Sequence, residues 1–312
     1  MAMRIALIGY GEVGKILAED LRAQGHAVAA YDLKLGGSHA DALRDHAGQH
    51  GVTLAASHAG AVQGAELVIS AVTASQTVAV AQACAGAVRG AYFLDFNSAS
   101  PGAKAEAASY VNAAGGRFVE GAVMTLIGGY RIKVPLLLGG AHAAALLPVI
   151  TALGFSARVA SDKLGVASAT KLCRSVMIKG LEVMLIESLT TARHYGVEDA
   201  VIASLYETYP GVDWQRQATY AFQRVIEHGQ RRGEEMHEAA RTVRDAGLQP
   251  LSAAGTAERD TWFAAQGDAG VFGQRGAPGF ARSQDWRTEA DRILSAAGAD
   301  RILATRPHKD PS

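Results

Sequence analysis

The chain has few of the features that mark a specialised setting. Two cysteines in 312 residues, Cys84 and Cys173, are too few for a disulfide framework. Neither sign of charge is in excess, because 30 Lys plus Arg balance 30 Asp plus Glu. A neutral chain has no overall electrostatic reason to hold nucleic acid or an anionic membrane. The charged and then apolar start of a secretory signal is missing too, since Met1 runs straight into a strand-like stretch. These absences point to a reduced, cytoplasmic setting and a small-molecule partner. One uncharged run, residues 134–157, VPLLLGGAHAAALLPVITALGFSA, is long enough to span a bilayer. Gly139, Gly140, Pro135 and Pro148 punctuate it, so strand, turn and buried helix are expected there instead. No His, Cys, Asp and Glu grouping shows metal-ligand spacing, and no metal is expected.

With 49% hydrophobic and 19% charged residues, the chain can bury a large core and form two domains. Its first half alternates β-rich runs, RIALIG, AVAAYDL, LVISAV, AYFLDFN and VPLLLGG, with segments of helical length. That alternation predicts a parallel sheet wrapped by helices, an α/β Rossmann-type domain over residues 1–160. Beyond it, helical spacing dominates over residues 166–195, 200–206, 214–228, 233–246, 251–265 and 286–297. An all-α domain over residues 161–312 follows, with a glycine-rich loop before the last helix.

The sharpest motif is Gly9-Tyr10-Gly11-Glu12-Val13-Gly14. Glycine patterns alone are weak evidence, but this one has its full context. The apolar strand IALI precedes it, a helix with Val13, Ile16, Leu17 and Leu21 on one face follows, and a second strand ends in Asp32. In that arrangement Gly9 makes the tight turn, Gly11 lets backbone approach a pyrophosphate, and Gly14 lets the helix pack on the sheet. Asp32 is placed to accept from the adenine ribose hydroxyls, so NAD is expected over NADP, with Lys34 as the residue that accommodates a 2′-phosphate if the preference is reversed.

A dinucleotide fold names no reaction. In the run DKLGVASATKLCRSVMIKGLEVMLIESL, at the expected domain junction, Lys171 is a lone cation in an apolar helix opening. Burial there lowers a lysine pKa toward acid and base work, whereas a snorkelling side chain stays an ordinary cation. Arg174 and Ser175 lie beside it at helical spacing.

At these residues the chain resembles the β-hydroxyacid dehydrogenase superfamily, which includes 3-hydroxyisobutyrate and 6-phosphogluconate dehydrogenases. The likeness runs from Met1 to about Pro250 and rests on the glycine loop, on Asp95-Phe96-Asn97-Ser98-Ala99-Ser100-Pro101, and on Gly165 leading to Lys171. The run HGQRRGEEMHEAARTVRDAGLQP resembles a branch of that superfamily with its own helical domain and mostly unassigned substrates. The resemblance implies a two-domain oxidoreductase with Lys171 as acid/base, a cleft site, a loop at Thr73 and Ser75 near the nicotinamide ribose, and association through the helical domain. Two positions depart from the pattern. Met124-Thr125-Leu126 stands where relatives have a Ser-Gly-Gly turn, and Arg174 where they have Asn or His.

Asn97, at the end of its strand, is a further cofactor candidate. Met124, Thr125, Arg174, Ser175 and Arg231 are the substrate candidates, with Arg174 expected to grip an anionic group unless it pairs with Glu182. His228, Arg231 and Arg232 form either a site contribution or a solvated face, and Cys173 is expected to be a small buried side chain. The apolar helix SVMIKGLEVMLIESL predicts a homodimer. Hydride transfer to or from a hydroxy acid or sugar acid is the primary expectation, with imine or ketimine reduction as the alternative within the enzymes. An NAD-sensing regulator is the alternative outside them.

Overall fold

The computed structural model of the protein describes residues 2–298. Eight strands, β1 (Arg4–Ile8), β2 (Ala27–Tyr31), β3 (Thr53–Leu54), β4 (Leu67–Ser70), β5 (Tyr92–Asp95), β6 (Arg117–Val123), β7 (Leu136–Gly139) and β8 (Ala157–Ser161), form one sheet in the order β3-β2-β1-β4-β5-β6-β7-β8. Around it lie α1 (Glu12–Ala23), α2 (Ala40–His50), α3 (His58–Val62), α4 (Thr77–Cys84), α5 (Pro101–Ala113), α6 (Ile127–Tyr130) and α7 (Ala143–Ala152). The later helices are α8 (Val166–Tyr195), α9 (Glu198–Thr208), α10 (Trp214–Asp245), α11 (Leu251–Asp268) and α12 (Trp286–Ala296).

Strand alternation builds a core on each face of the sheet. Ile5 and Leu7 of β1 join Leu67, Ile69, Leu94 and Val119 on one side, and Ala6 and Ile8 join Val68, Phe93 and Phe118 on the other. Each fully buried Leu, Ile or Phe contributes about 1.5–3 kcal/mol relative to exposure. Every pairing is parallel except β6 with β7. The expected parallel sheet is present, and its one antiparallel pairing has a physical reason: the regular helix joining β6 to β7 is the four-residue α6, too short for a parallel crossover. The run read as a possible span resolves into β7, α7 and the start of β8, and no helix among the described residues is long and apolar enough to cross a membrane.

The described residues divide into two compact units, residues 2–174 with Glu238–Gln249, and Ser175–His237 with residues 250–298. The boundary expected after residue 160 therefore falls after residue 174, and a later segment returns to the first unit. The second unit has its own core, in which Val183, Ile186 and Leu189 of α8 meet Phe222, Val225, Phe263, Phe272 and Trp286. The break expected between residues 228 and 233 is absent, and α10 runs unbroken for 32 residues. Gly229 and Gly233 serve packing instead. A Cβ on Gly229 would stand 2.5 Å from the carbonyl oxygen of Asp260, and one on Gly233 would stand 2.7 Å from Thr261 Oγ1, so these glycines let α11 approach closely.

Candidate active site

The glycine loop sits after β1, where the strand order reverses between β2 and β4. That reversal is the point at which open α/β sheets bind ligands. Gly9 has φ +92°, and a Cβ there would meet the carbonyl oxygen of Ala71 at 2.4 Å. No other residue fits. A Cβ on Gly14 would lie 2.1 Å from the Gly9 carbonyl oxygen, which fixes how closely α1 packs on the turn. Gly11 differs from both. It precedes α1, and a Cβ there would meet nothing within 4 Å, so open space lies beside a helix N-terminus with free N–H groups. Glu12 is exposed in the first turn of α1, and Val13 packs against the sheet core.

The Asp32 carboxylate holds this loop. It accepts from the backbone N–H of Tyr10 at 2.8 Å and of Lys34 at 2.8 Å. Tyr10 itself is fully buried, and burial, with Glu19 adding to it, pushes its phenol up to about 12. Its hydroxyl lies 2.9 Å from His46 Nδ1. The cradle a Cβ would fill at Gly9 and Gly14, and the open approach at Gly11, fit a dinucleotide.

Across the same sheet edge, Asn97 follows β5 and is buried. Its Oδ1 accepts from Val72 N at 2.8 Å and its Nδ2 donates to Ser70 Oγ at 3.0 Å, which ties the ends of β4 and β5 together. Thr73 and Ser75 are exposed on the loop beyond β4, with their hydroxyl oxygens 3.3 Å apart. Below them Lys104 of α5 is fully buried, pairs with Asp95 at 3.1 Å and donates to the Asp95 carbonyl at 3.0 Å. Burial raises the Asp95 pKa, with Lys104 pulling it back.

Lys171 belongs to the first unit, and its Nζ donates to Ser98 Oγ at 2.5 Å. Glu120 sets the helix that carries it. Fully buried on β6, its carboxylate accepts from Gly165 N at 2.8 Å, Ala167 N at 3.0 Å and Ser168 N at 3.3 Å, capping the start of α8 with a negative charge. Gly139 leaves room for it, since a Cβ there would stand 2.2 Å from Glu120 Oε1. Ser98, Lys104 and Glu120 were not assigned from the sequence. Ser98 lay inside the quoted motif, and a single Glu in the apolar strand RFVEGAV was the available signal for the cap.

Arg174 is exposed and forms no ion pair among the described residues; the Glu182 proposed as its alternative partner is paired with Arg232. Met124 is half-buried and Thr125 exposed, both just beyond β6. Arg131 is engaged with Asp20 at 2.8 Å and Glu19 at 2.7 Å. Ser175 belongs to the second unit, buried, with its hydroxyl donated to Glu235 at 2.7 Å. There Arg232 is buried against Glu182 and Asp260, and burial raises the Asp260 pKa to about 6. Arg231 is exposed, and His228 is half-buried on the same helix. Cys173, expected to be buried, is exposed, because α8 turns its neighbour Leu172 inward instead.

Residues 4–144 match the NAD binding domain of 6-phosphogluconate dehydrogenase, and residues 192–262 match a domain of unknown function, DUF1932. A conserved hypothetical protein of Sinorhizobium meliloti 1021 is 35% identical, over 95% of this chain and 97% of that one, with a TM-score of 0.73. The chain belongs to the β-hydroxyacid dehydrogenase superfamily. Within it, this chain pairs an NAD(P)-binding α/β domain with a helical C-terminal region. A conserved protein of unknown function, described as structurally similar to 3-hydroxyacid dehydrogenases, is 28% identical over 85% of this chain and 99% of its own, with a TM-score of 0.65. The fold is also that of 3-hydroxyisobutyrate dehydrogenase from Mycobacterium tuberculosis, 17% identical over 94% of this chain and 99% of that one, with a TM-score of 0.71.

Proposed function

We propose that the protein is an NAD-dependent dehydrogenase that moves a hydride between the nicotinamide and a hydroxy acid or sugar acid, or its oxo form. Lys171 is its acid/base. The observation that carries this reading is the Lys171 Nζ at 2.5 Å from Ser98 Oγ, within the unit that also bears the glycine loop. The bound dinucleotide supplies the hydride acceptor or donor. Lys171 takes the proton of the substrate hydroxyl as hydride leaves the adjacent carbon, and returns it in the reduction. Ser98 orients the ammonium, and the Glu120 cap holds the opening turn of α8 beneath it. Arg174, exposed three residues on, grips the substrate's anionic group with two parallel hydrogen bonds.

Asp32 favours NAD, because its charge repels a 2′-phosphate and accepts from a free ribose diol. A homodimer through the second unit is part of the proposal. Met177, Ile178, Leu181 and Met184 are exposed along α8, beside a groove of about 580 Å³ lined by Leu251, Gly255 and Trp262. Light scattering that finds only a 32.5 kDa species contradicts that association.

The test of activity is a screen of NAD reduction against a panel of hydroxy acids and sugar acids, with a second arm offering ketone, amine and NADH. Turnover of at least one hydroxy acid is expected. Turnover in the amine arm alone makes the protein an imine reductase, and dinucleotide binding without turnover in either arm makes it a sensor.

A further inference from the structure

The first unit holds metal-ligating side chains that the proposed reaction does not use. His46 and His50 stand one turn apart on α2, and Glu19 comes from α1. One carboxylate oxygen and one nitrogen of each imidazole lie within 4.8 Å of one another, and all three side chains are half-buried. A tetrahedral zinc-class ion at about 2.0–2.2 Å from its ligands spaces them about 3.4 Å apart. The i, i+4 spacing of two histidines was present in the sequence, and the expectation that no metal-ligand spacing occurs is corrected by it.

The geometry points to a site for one divalent transition metal ion of the zinc class, held by Glu19, His46 and His50 with a fourth position open to water. Two arrangements around the cluster support it. The Tyr10 hydroxyl lies 2.9 Å from His46 Nδ1, while His46 Nε2 is turned to Glu19 at 3.0 Å. An outer oxygen on one ring nitrogen leaves the other to bind metal, which is how ligating histidines are usually fixed. With a metal on Nε2, the imidazole proton would reside on Nδ1 and be donated to the Tyr10 hydroxyl. Charge agrees as well. Glu19 and Asp20 bring two negative charges against the single positive charge of Arg131, which bonds Glu19 at 2.7 Å through the oxygen that does not face His46.

A hydrogen-bonded network with no affinity for metal is the competing account, and direct titration separates the two. The full-length protein is titrated with Zn²⁺ in competition with a chromophoric chelator, and its thermal midpoint is read with and without Zn²⁺. The variants are His50→Gln, which leaves the Tyr10, His46 and Glu19 hydrogen bonds in place, and Glu19→Gln. One Zn²⁺ per wild-type chain is expected, with affinity reduced in both variants by more than the roughly 10–100-fold lost when only an outer partner is removed. Zinc should raise the midpoint of the wild type and not that of either variant. Absence of saturable binding overturns the site. So does equal affinity and stoichiometry in wild type and both variants, which places the zinc elsewhere.

Discussion

Gly11 and Gly229 are the same residue type in two regions of one chain, and their surroundings differ completely. A Cβ on Gly11 would meet nothing within 4 Å, whereas one on Gly229 would stand 2.5 Å from the backbone of α11. At the sheet edge the missing side chain leaves space beside free helix N–H groups, which is room for a ligand. On α10 the space is already filled by another helix. A glycine therefore becomes evidence of binding only when the volume it leaves is open and polar groups face it.

The largest expected effect lies on the sheet side. Lys171→Met should lower turnover by about two to four orders of magnitude, the range for loss of a positioned proton-transfer group, while NADH affinity stays near wild type. Near-normal turnover removes Lys171 from the mechanism. On the helical side, Gly229→Ala should destabilise by about 1–3 kcal/mol through overpacking against α11, with NADH affinity unchanged. A thermal midpoint at or above wild type would show that α10 and α11 separate at little cost, and would dissolve the contrast with Gly11.

Smaller effects refine the site. Arg174→Lys keeps the charge but loses the planar fork, so KM for the acid should rise about tenfold or more with dinucleotide affinity preserved. An unchanged KM with reduced thermal stability makes Arg174 structural. Asp32→Ala should narrow the preference for NAD over NADP, although it also frees the Tyr10 and Lys34 N–H groups. Comparable catalytic efficiency of the wild type with both cofactors refutes the preference outright.

How much of this was legible in the sequence varies with what carries each feature. The glycine loop and the bounds of α8 are local, set by turn chemistry and helical spacing, and residues 166–195 were read as they stand. β6 was missed because Glu120 and Gly121 interrupt its apolar run, and the reason for both lies in other segments: Glu120 caps α8, and a Cβ on Gly121 would press on Phe96 and Asp95. The continuity of α10 was missed likewise. Glycines at positions 229 and 233 read locally as helix breakers, and only the nearness of α11 explains them. Ser98 is the site's example. Nothing in NSAS marks it as the partner of a lysine 73 residues later, a contact made by sheet topology.

The most direct measurement is NADH binding by wild type and Gly11→Val, followed by fluorescence, with thermal unfolding of both proteins run alongside. Gly11 has φ −81°, ordinary for any residue, so valine should leave the unfolding midpoint almost unchanged. Its side chain would occupy the space where the pyrophosphate approaches α1. The account predicts one NADH per wild-type chain and a loss of about 100-fold or more in the variant, equivalent to about 2.7 kcal/mol. Equal NADH affinity in the two folded proteins would contradict it, because the glycine loop would then be a turn between a strand and a helix and not the dinucleotide site.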